Sequence, residues 1–143
     1  SEVQVHLAAY RQRPEIGAVV HAHPPLASAF TFAGLDDILM RPIIPELVAQ
    51  VGPVPTVPYR TPGTRDLADA AAPFFTGSDV VLLAQHGAVT LGSDPWQAYL
   101  RMEKLEQAAL ILKSALELAG CGGALRQLTP QQVEALRNAY KAG

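Results

Sequence analysis

Two short apolar runs, each leading to histidine, constrain the fold of this chain most. The run Ile16–Val20 is rich in β-branched residues and continues directly into His21-Ala22-His23. The run Val80–Leu83 is followed closely by His86 and by Gly87, which is expected to give the turn its backbone freedom. Short apolar runs bounded by turn residues are typical of buried strands. The sequence therefore predicts a sheet that carries histidines at the ends of its strands.

Helical patterns alternate with these runs, which favours an α/β fold. A proline-rich stretch over 35–58 is expected to form short edge strands and loops, with a helical turn near Glu46–Gln50. A second strand over 88–92 is expected to follow the turn at Gly87. In the longest helix an apolar stripe from Trp96 and Tyr99 to Leu116 is expected to face the core. Helices are predicted over Glu2–Arg13, Leu26–Ala33, from Thr64 onward, Asp94–Ala119 and from Thr129 onward.

The composition limits the classes of protein to consider. The 143 residues show no linker or repeat, so a single domain over 1–143 is expected. A net charge of −2 gives no reason to expect a nucleic-acid partner. No apolar run approaches the roughly 20 residues of a membrane span, so no membrane association is expected. Cys121 is the single cysteine, which excludes an intramolecular disulfide and is compatible with a cytoplasmic location.

The histidines suggest a metal site. His21 and His23 are two positions apart at a strand end, so their side chains point to the same face. His86 lies at a second strand end, and three histidines with an open fourth position suit a catalytic zinc ion. Each histidine could instead be an ordinary core or surface residue, and the spacing alone does not decide between these interpretations.

Several motifs occur in the order found in the class II aldolase/adducin family. The chain resembles this family from Ser1 to about Glu117, and in particular its fuculose-phosphate aldolase-like members. The resemblance implies a three-layer α/β/α domain around a mostly antiparallel sheet, assembled as a homo-oligomer, usually a tetramer. Family members are longer at the N-terminus, so the chain is expected to be the C-terminal two-thirds of a longer domain. The matching motifs are Glu2-x-x-x-His6-x-Ala8-Ala9-Tyr10, Val19-Val20-His21-Ala22-His23-Pro24, Tyr59 with Gly63-Thr64, and Leu82-Leu83-x-x-His86-Gly87.

The resemblance also implies roles for particular residues. The three matching histidines, His21, His23 and His86, would bind Zn²⁺ or another divalent metal. Glu2 would serve as the catalytic acid/base, although a glutamate in a first helical turn is often an ordinary exposed residue. Ser1 matches the end of a substrate-binding loop, and Tyr140 is a candidate for the C-terminal tyrosine that takes part in some relatives. His6, one turn after Glu2, is expected to support the site or pack in the core.

The function implied is zinc-dependent retro-aldol cleavage of a small sugar phosphate through a metal-stabilised enediolate. The same family contains sugar-phosphate epimerases, decarboxylases and dehydratases, which share this chemistry. A non-catalytic interaction module like the adducin head is an alternative, but that branch is not expected to keep the metal ligands. A closed, purely structural metal site is a third possibility.

Overall fold

A computed structural model describes residues 2–120 and 124–141 of the chain. Cys121 and Ser1 lie outside the described residues. Within these described residues, six α-helices and four strands follow one another, with a 3₁₀ helix over Asp36–Met40. The elements are α1 (Val3–Gln12), β1 (Ala18–Ala22), α2 (Pro25–Ala33), α3 (Pro45–Gln50), β2 (Thr56–Val57), α4 (Arg65–Phe75), β3 (Val80–Leu83), β4 (Gly87–Gly92), α5 (Pro95–Ala119) and α6 (Pro130–Lys141).

The four strands form one sheet in the order β1-β4-β3-β2. β1 pairs antiparallel with β4, so that His21 lies opposite Val89, and β4 pairs antiparallel with β3. The short β2 pairs parallel with β3, with Thr56 opposite Leu82. The prediction of an α/β chain with a mostly antiparallel sheet is confirmed.

Each face of the sheet carries its own apolar cluster, because successive side chains of a strand point to opposite faces. Val80, Leu82 and Ala88 pack with residues of α2, α3 and α5. The alternating residues Val81 and Val89 pack with residues of α1 and α4 instead. The sheet is therefore covered by different helices on its two faces.

Side-chain caps fix the helix starts that the sequence predicted. Asp94 accepts a hydrogen bond from the backbone N–H of Gln97 at 2.9 Å, at the start of α5. Thr64 accepts one from Leu67 at 3.3 Å, at the start of α4. None of the helices within the described ranges is long and apolar enough to cross a membrane.

Two predicted features differ from the structure. In the stretch over 35–58 the helical turn expected near Glu46–Gln50 is present as α3, but a 3₁₀ helix and a single strand, Thr56–Val57, stand among its described residues where several short edge strands were expected. Pro45 occupies the first turn of α3, where a proline is tolerated because its missing N–H would have no partner there. The predicted strand Ile16–Val20 is shifted and runs from Ala18 to Ala22, so that His21 belongs to the strand itself.

The predicted apolar stripe of α5 is buried only along part of its length. Leu105 and Leu112 are buried, whereas Trp96 and Tyr99 are 66% and 43% exposed and stack on each other. Helical spacing shows which side chains share a face, but burial also needs a neighbouring element above that turn. Ala98 in the first turn of α5 is buried against β4, but no element of the described ranges covers the side chains of Trp96 and Tyr99.

Candidate metal centre

The strand order brings the three predicted ligands together. His21 lies in β1, which pairs with β4, and His86 lies in the turn that joins β3 to β4. The ring centroids of His21, His23 and His86 are 4.9 to 5.0 Å apart. One nitrogen from each ring lies within 4.8 Å of the others. Three imidazoles thus converge on one point at the end of the sheet.

A hydrogen bond to the backbone sets the orientation of His21. Its Nδ1 lies 2.9 Å from the carbonyl oxygen of Ala88. Because a carbonyl can only accept, Nδ1 carries the proton and Nε2 presents its lone pair. That Nε2 lies 3.2 Å from Nε2 of His23. Two nitrogens bound tetrahedrally to zinc, at roughly 2.0–2.1 Å, are about 3.3–3.4 Å apart, so this spacing suits a shared cation.

The turn before His86 has an unusual backbone. Gln85 has a φ of 55°, in the left-handed region that side chains other than glycine rarely adopt. Its N–H donates to the hydroxyl of Thr31 in α2 at 2.9 Å, and the N–H of His86 donates to Leu83 at 3.0 Å. The expectation that Gly87 supplies the conformational freedom of this turn is wrong, because the positive φ belongs to Gln85.

The structure leaves no room for a side chain at Gly87. A Cβ at this position would lie 2.7 Å from Cδ2 of His23 and would overlap the carbonyl oxygen of Ala22. The ring of His23 therefore occupies the room that a larger residue would fill. The absence of a side chain at Gly87 allows the two strand ends to meet with the histidine between them.

Glu2 lies beside the histidines rather than in solvent. Its Oε1 is 3.8 Å from Nε2 of His86, and each side chain is only 11% exposed. The same oxygen accepts a hydrogen bond from the N–H of Gly63 at 2.9 Å. Gly63 has a φ of 77°, which glycine adopts without strain and which helps turn its N–H toward the carboxylate.

Two buried polar atoms at this centre have no hydrogen-bond partner among the described residues. They are Oε2 of Glu2 and Nδ1 of His86. Buried polar groups normally have partners, so such atoms point to a missing ligand, ion or water. Three imidazoles and one carboxylate also form the kind of donor set that binds a first-row divalent cation such as zinc. The residues therefore fit the metal that the family resemblance implies.

Burial favours the neutral form of two of the imidazoles, those of His21 and His86, by lowering their pKa values, and the neutral form is the one that binds a metal. The pKa of His21 lies below its ordinary 6.5, chiefly because burial disfavours the charged ring, although the Ala88 carbonyl opposes this. The pKa of His86 is lowered for the same main reason, with the Glu2 carboxylate acting in the opposite direction. Metal binding requires neutral imidazole, so both shifts favour it near neutral pH.

A cleft opens next to the centre. It has a volume of about 400 Å³ and is lined by Glu2, Val3, His6, Leu7 and His21. His6 is half-buried there, and burial lowers the pKa of its ring while Glu2 raises it. The cleft gives small molecules access to the face of Glu2 and His21.

Of the two remaining predicted site residues, the one that the structure describes, Tyr140, does not join this cluster. Tyr140 is 50% exposed on α6, which packs mainly against α3. Ser1 lies outside the described residues. Their roles in substrate binding stay predictions.

Comparison with known proteins identifies the family. Residues 1–112 match the model of the Class II Aldolase and Adducin N-terminal domain. The chain belongs to the class II aldolase and adducin family. Over 113 residues the chain is 39% identical to 3-oxo-tetronate 4-phosphate decarboxylase of Escherichia coli K12. This alignment covers 78% of the chain and 53% of that enzyme. Over 126 residues the chain is 38% identical to L-fuculose phosphate aldolase of Haemophilus influenzae. This alignment covers 82% of the chain and 56% of that enzyme.

A solved structure with similar sequence has the same fold. YgbL of Klebsiella pneumoniae, regarded as an aldolase/epimerase/decarboxylase, superposes with a TM-score of 0.81 at 35% identity. The match covers 95% of this chain and 64% of that one. The chain spans about half the length of the two curated relatives, with 53% and 56% of their residues matched.

Three residues shape the centre through contacts that reasoning from the sequence did not predict. Gly63 contributes only its backbone N–H to Glu2, a contact across 61 positions that leaves no signal in residue type. Thr31 had a weak signal as a polar residue in an otherwise apolar helix. Gly87 was singled out for backbone freedom, although a glycine next to a candidate ligand also suggests close approach.

Proposed function

We propose that this chain is the metal-binding part of a divalent-metal-dependent lyase, which breaks a carbon–carbon bond next to a carbonyl group of a sugar phosphate. The observation that carries the proposal is the convergence of three histidine nitrogens within 4.8 Å, beside the Glu2 carboxylate at 3.8 Å from His86. Family membership supports it, because the relatives at 38% and 39% identity are enzymes that act on sugar phosphates.

His21, His23 and His86 would hold the ion, with Zn²⁺ as the proposed metal. Bound there, it would act as a Lewis acid toward the oxygens of the substrate. The cleft lined by Glu2 and His21 leaves access from one side, which favours a catalytic rather than a closed structural site.

Glu2 is the proposed acid/base. The N–H of Gly63 holds its Oε1 at 2.9 Å, while its Oε2 has no partner among the described residues. The second oxygen is therefore free to exchange a proton with the substrate within hydrogen-bond reach. In a retro-aldol reaction the substrate hydroxyl loses its proton as the carbon–carbon bond breaks, and its carbon becomes an aldehyde. The other fragment, which contains the original carbonyl group, keeps the electron pair until it is protonated.

Decarboxylation is the second candidate, because the relative at 39% identity is named a decarboxylase. There the bond to the carboxylate breaks, CO₂ leaves, and the electron pair stays on the carbon next to the carbonyl group. Both reactions need the same charge stabilisation and a proton for the carbon that keeps the electron pair, and retro-aldol cleavage also removes a hydroxyl proton. Substrate chemistry, rather than the centre itself, separates them.

The proposal extends to the assembly and the fold. Apolar clusters on both faces of the sheet support a three-layer α/β/α arrangement. A homotetramer and substrate contacts from Ser1 and Tyr140 come from the family resemblance, whereas the cytoplasmic setting rests on the single cysteine, which is compatible with a reducing compartment.

The test uses the full chain loaded with Zn²⁺ and two panels of substrates. One panel contains ketose 1-phosphates, with aldehyde release measured by NMR, and the other contains 3-oxo acid phosphates, with CO₂ release measured. The proposal predicts turnover in one panel by the wild type and a large loss in Glu2→Gln. A folded, full-length protein that contains this chain, holds one metal ion per chain and turns over neither panel would contradict the lyase.

A further inference from the structure

The first turn of α2 has no capping side chain of its own. Pro24 occupies the N-cap position and makes no side-chain cap, and Pro25, the first helical residue, has no backbone N–H. The N–H of Ser28 donates to the Pro24 carbonyl at 2.9 Å. The N–H groups of Leu26 and Ala27 therefore need an acceptor from elsewhere in the chain.

Glu106 in the middle of α5 supplies that acceptor. Its Oε1 accepts from the N–H of Leu26 at 2.8 Å, and its Oε2 accepts from the N–H of Ala27 at 2.9 Å. Both oxygens are used, and the negative charge lies at the positive end of the α2 dipole. A glutamate 80 positions away thus fixes the start of α2 to the longest helix.

Among the three histidines, His23 depends most on this contact. His21 is held by strand pairing with Val89 and by its bond to the Ala88 carbonyl. His86 is held by the backbone bonds of its turn. His23 follows the last residue of β1, is exposed, and makes its one side-chain hydrogen bond within the described ranges to His21.

The link between His23 and α2 is short and stiff. Only Pro24 separates His23 from the first residue of α2, and its φ of −63° and ψ of 120° place it in an extended conformation. Two consecutive prolines restrict φ at both positions, so the segment has little freedom to absorb a displacement. A movement of the α2 N-terminus is therefore transmitted to the backbone of His23.

We propose that Glu106 is a positioning residue of the metal centre, which holds His23 in place by capping α2. This inference rests on the proposed metal binding by the three histidines. Glu106 itself touches neither metal nor substrate. Its loss would leave two donors at the helix start without a partner and would loosen one ligand of three.

The experiment compares wild type, Glu106→Ala and Glu106→Gln, with Glu103→Ala as the matched control. Glu103 is an exposed carboxylate one turn away on the same helix. Zinc affinity is measured by competition with a chromogenic chelator, and folding by circular dichroism. The visible spectrum of the Co²⁺-loaded protein reports the coordination geometry of the bound ion. If Glu106 only stabilised the fold, its substitution would leave this spectrum unchanged.

We expect Glu106→Ala to raise the zinc dissociation constant by about 10–100-fold, as for other groups that orient metal ligands. Its Co²⁺ spectrum should change, whereas Glu103→Ala should match the wild type. Glu106→Gln should fall in between, because its amide can accept one N–H but offers no second acceptor. If Glu106→Ala does not fold, Glu106→Gln is compared with the wild type in its place.

The outcomes separate this inference from the proposed function. Wild-type zinc affinity and an unchanged Co²⁺ spectrum in folded Glu106→Ala and Glu106→Gln would overturn the role of Glu106 alone. A wild-type chain that binds no zinc or Co²⁺ would overturn both proposals. An equal loss of affinity in Glu103→Ala would also overturn the specific role of Glu106.

Discussion

Cδ2 of His23 lies 2.7 Å from the place where a Cβ on Gly87 would stand. The two residues come from different strand ends, and the missing side chain of one makes room for the ring of the other. This contact couples backbone packing at the end of the sheet to the position of a proposed metal ligand.

Substituting Gly87 by alanine should displace His23. The added methyl group would overlap the Ala22 carbonyl as well as the ring, so the strand ends must separate. We expect a loss of unfolding free energy of about 1–3 kcal/mol, as for other overpacked sites, together with weaker zinc binding. Thermal unfolding and zinc competition measure the two effects.

Gly77→Ala is the matched control, because a Cβ at that position meets nothing within 4 Å and needs no positive φ. Wild-type zinc affinity in Gly87→Ala would show that His23 does not need this space.

Thr31 should be required for the turn that carries His86. Its hydroxyl accepts the N–H of Gln85 at 2.9 Å and is buried in α2. Thr31→Val keeps the shape but leaves that N–H without its partner, so we expect a loss of about 1–3 kcal/mol of unfolding free energy. Urea denaturation measures it. Thr31→Ser restores the hydroxyl and should recover most of the loss, and equal stability of the valine and serine variants would argue against the hydrogen bond.

Glu2→Gln should separate chemistry from metal binding. The amide keeps the size of the side chain and can still accept from Gly63, but it cannot act as a base at neutral pH. We expect kcat to fall by about 10²–10⁴-fold while zinc content per chain stays unchanged. Steady-state kinetics on the active substrate panel, with metal analysis of the same samples, provide the measurement. Glu46→Gln, at an exposed carboxylate of α3, should retain wild-type activity. An unchanged kcat in Glu2→Gln would remove Glu2 from the mechanism.

The metal-free protein should lose stability in mild acid. Burial lowers the pKa of His21 and of His86 below 6.5, so the unfolded chain binds more protons than the folded chain just below that pH. The neutral imidazoles therefore contribute fully above about pH 6.5, and stability falls as the pH drops from there toward the lowered pKa values. Melting temperatures between pH 8 and pH 5 should decrease, with a smaller decrease in His86→Ala. A melting temperature that rises over this range would contradict the direction of these pKa shifts.

The sequence predicted much of the fold because its signals were local. Strong apolar runs marked β3 and β4, and the caps Asp94 and Thr64 marked helix starts at the positions observed. In the proline-rich stretch the helical turn near Glu46–Gln50 was predicted, whereas most of the expected edge strands are absent from its described residues, because interleaved Val and Ile residues do not by themselves secure a neighbouring strand. Burial of Trp96 and Tyr99 could not be judged, since it depends on which elements cover the start of α5.

The centre itself was predictable in part. Histidines at two strand ends could be recognised from residue type and spacing, and the structure places them together with Glu2. The contacts that hold them come from the backbone of Gly63 and from Thr31 and Glu106, far away in the sequence. Such contacts depend on how helices pack on the sheet, which residue type alone does not reveal.

The most direct test of the central claim is metal content, measured by plasma mass spectrometry on the purified wild type, His21→Ala and His86→Ala, with His6→Ala as a nearby control. We predict about one zinc ion per wild-type chain, its loss in both ligand variants and its retention in the control. A folded wild-type chain without bound divalent metal after zinc loading, or a metal content unaffected by both ligand substitutions, would contradict the claim.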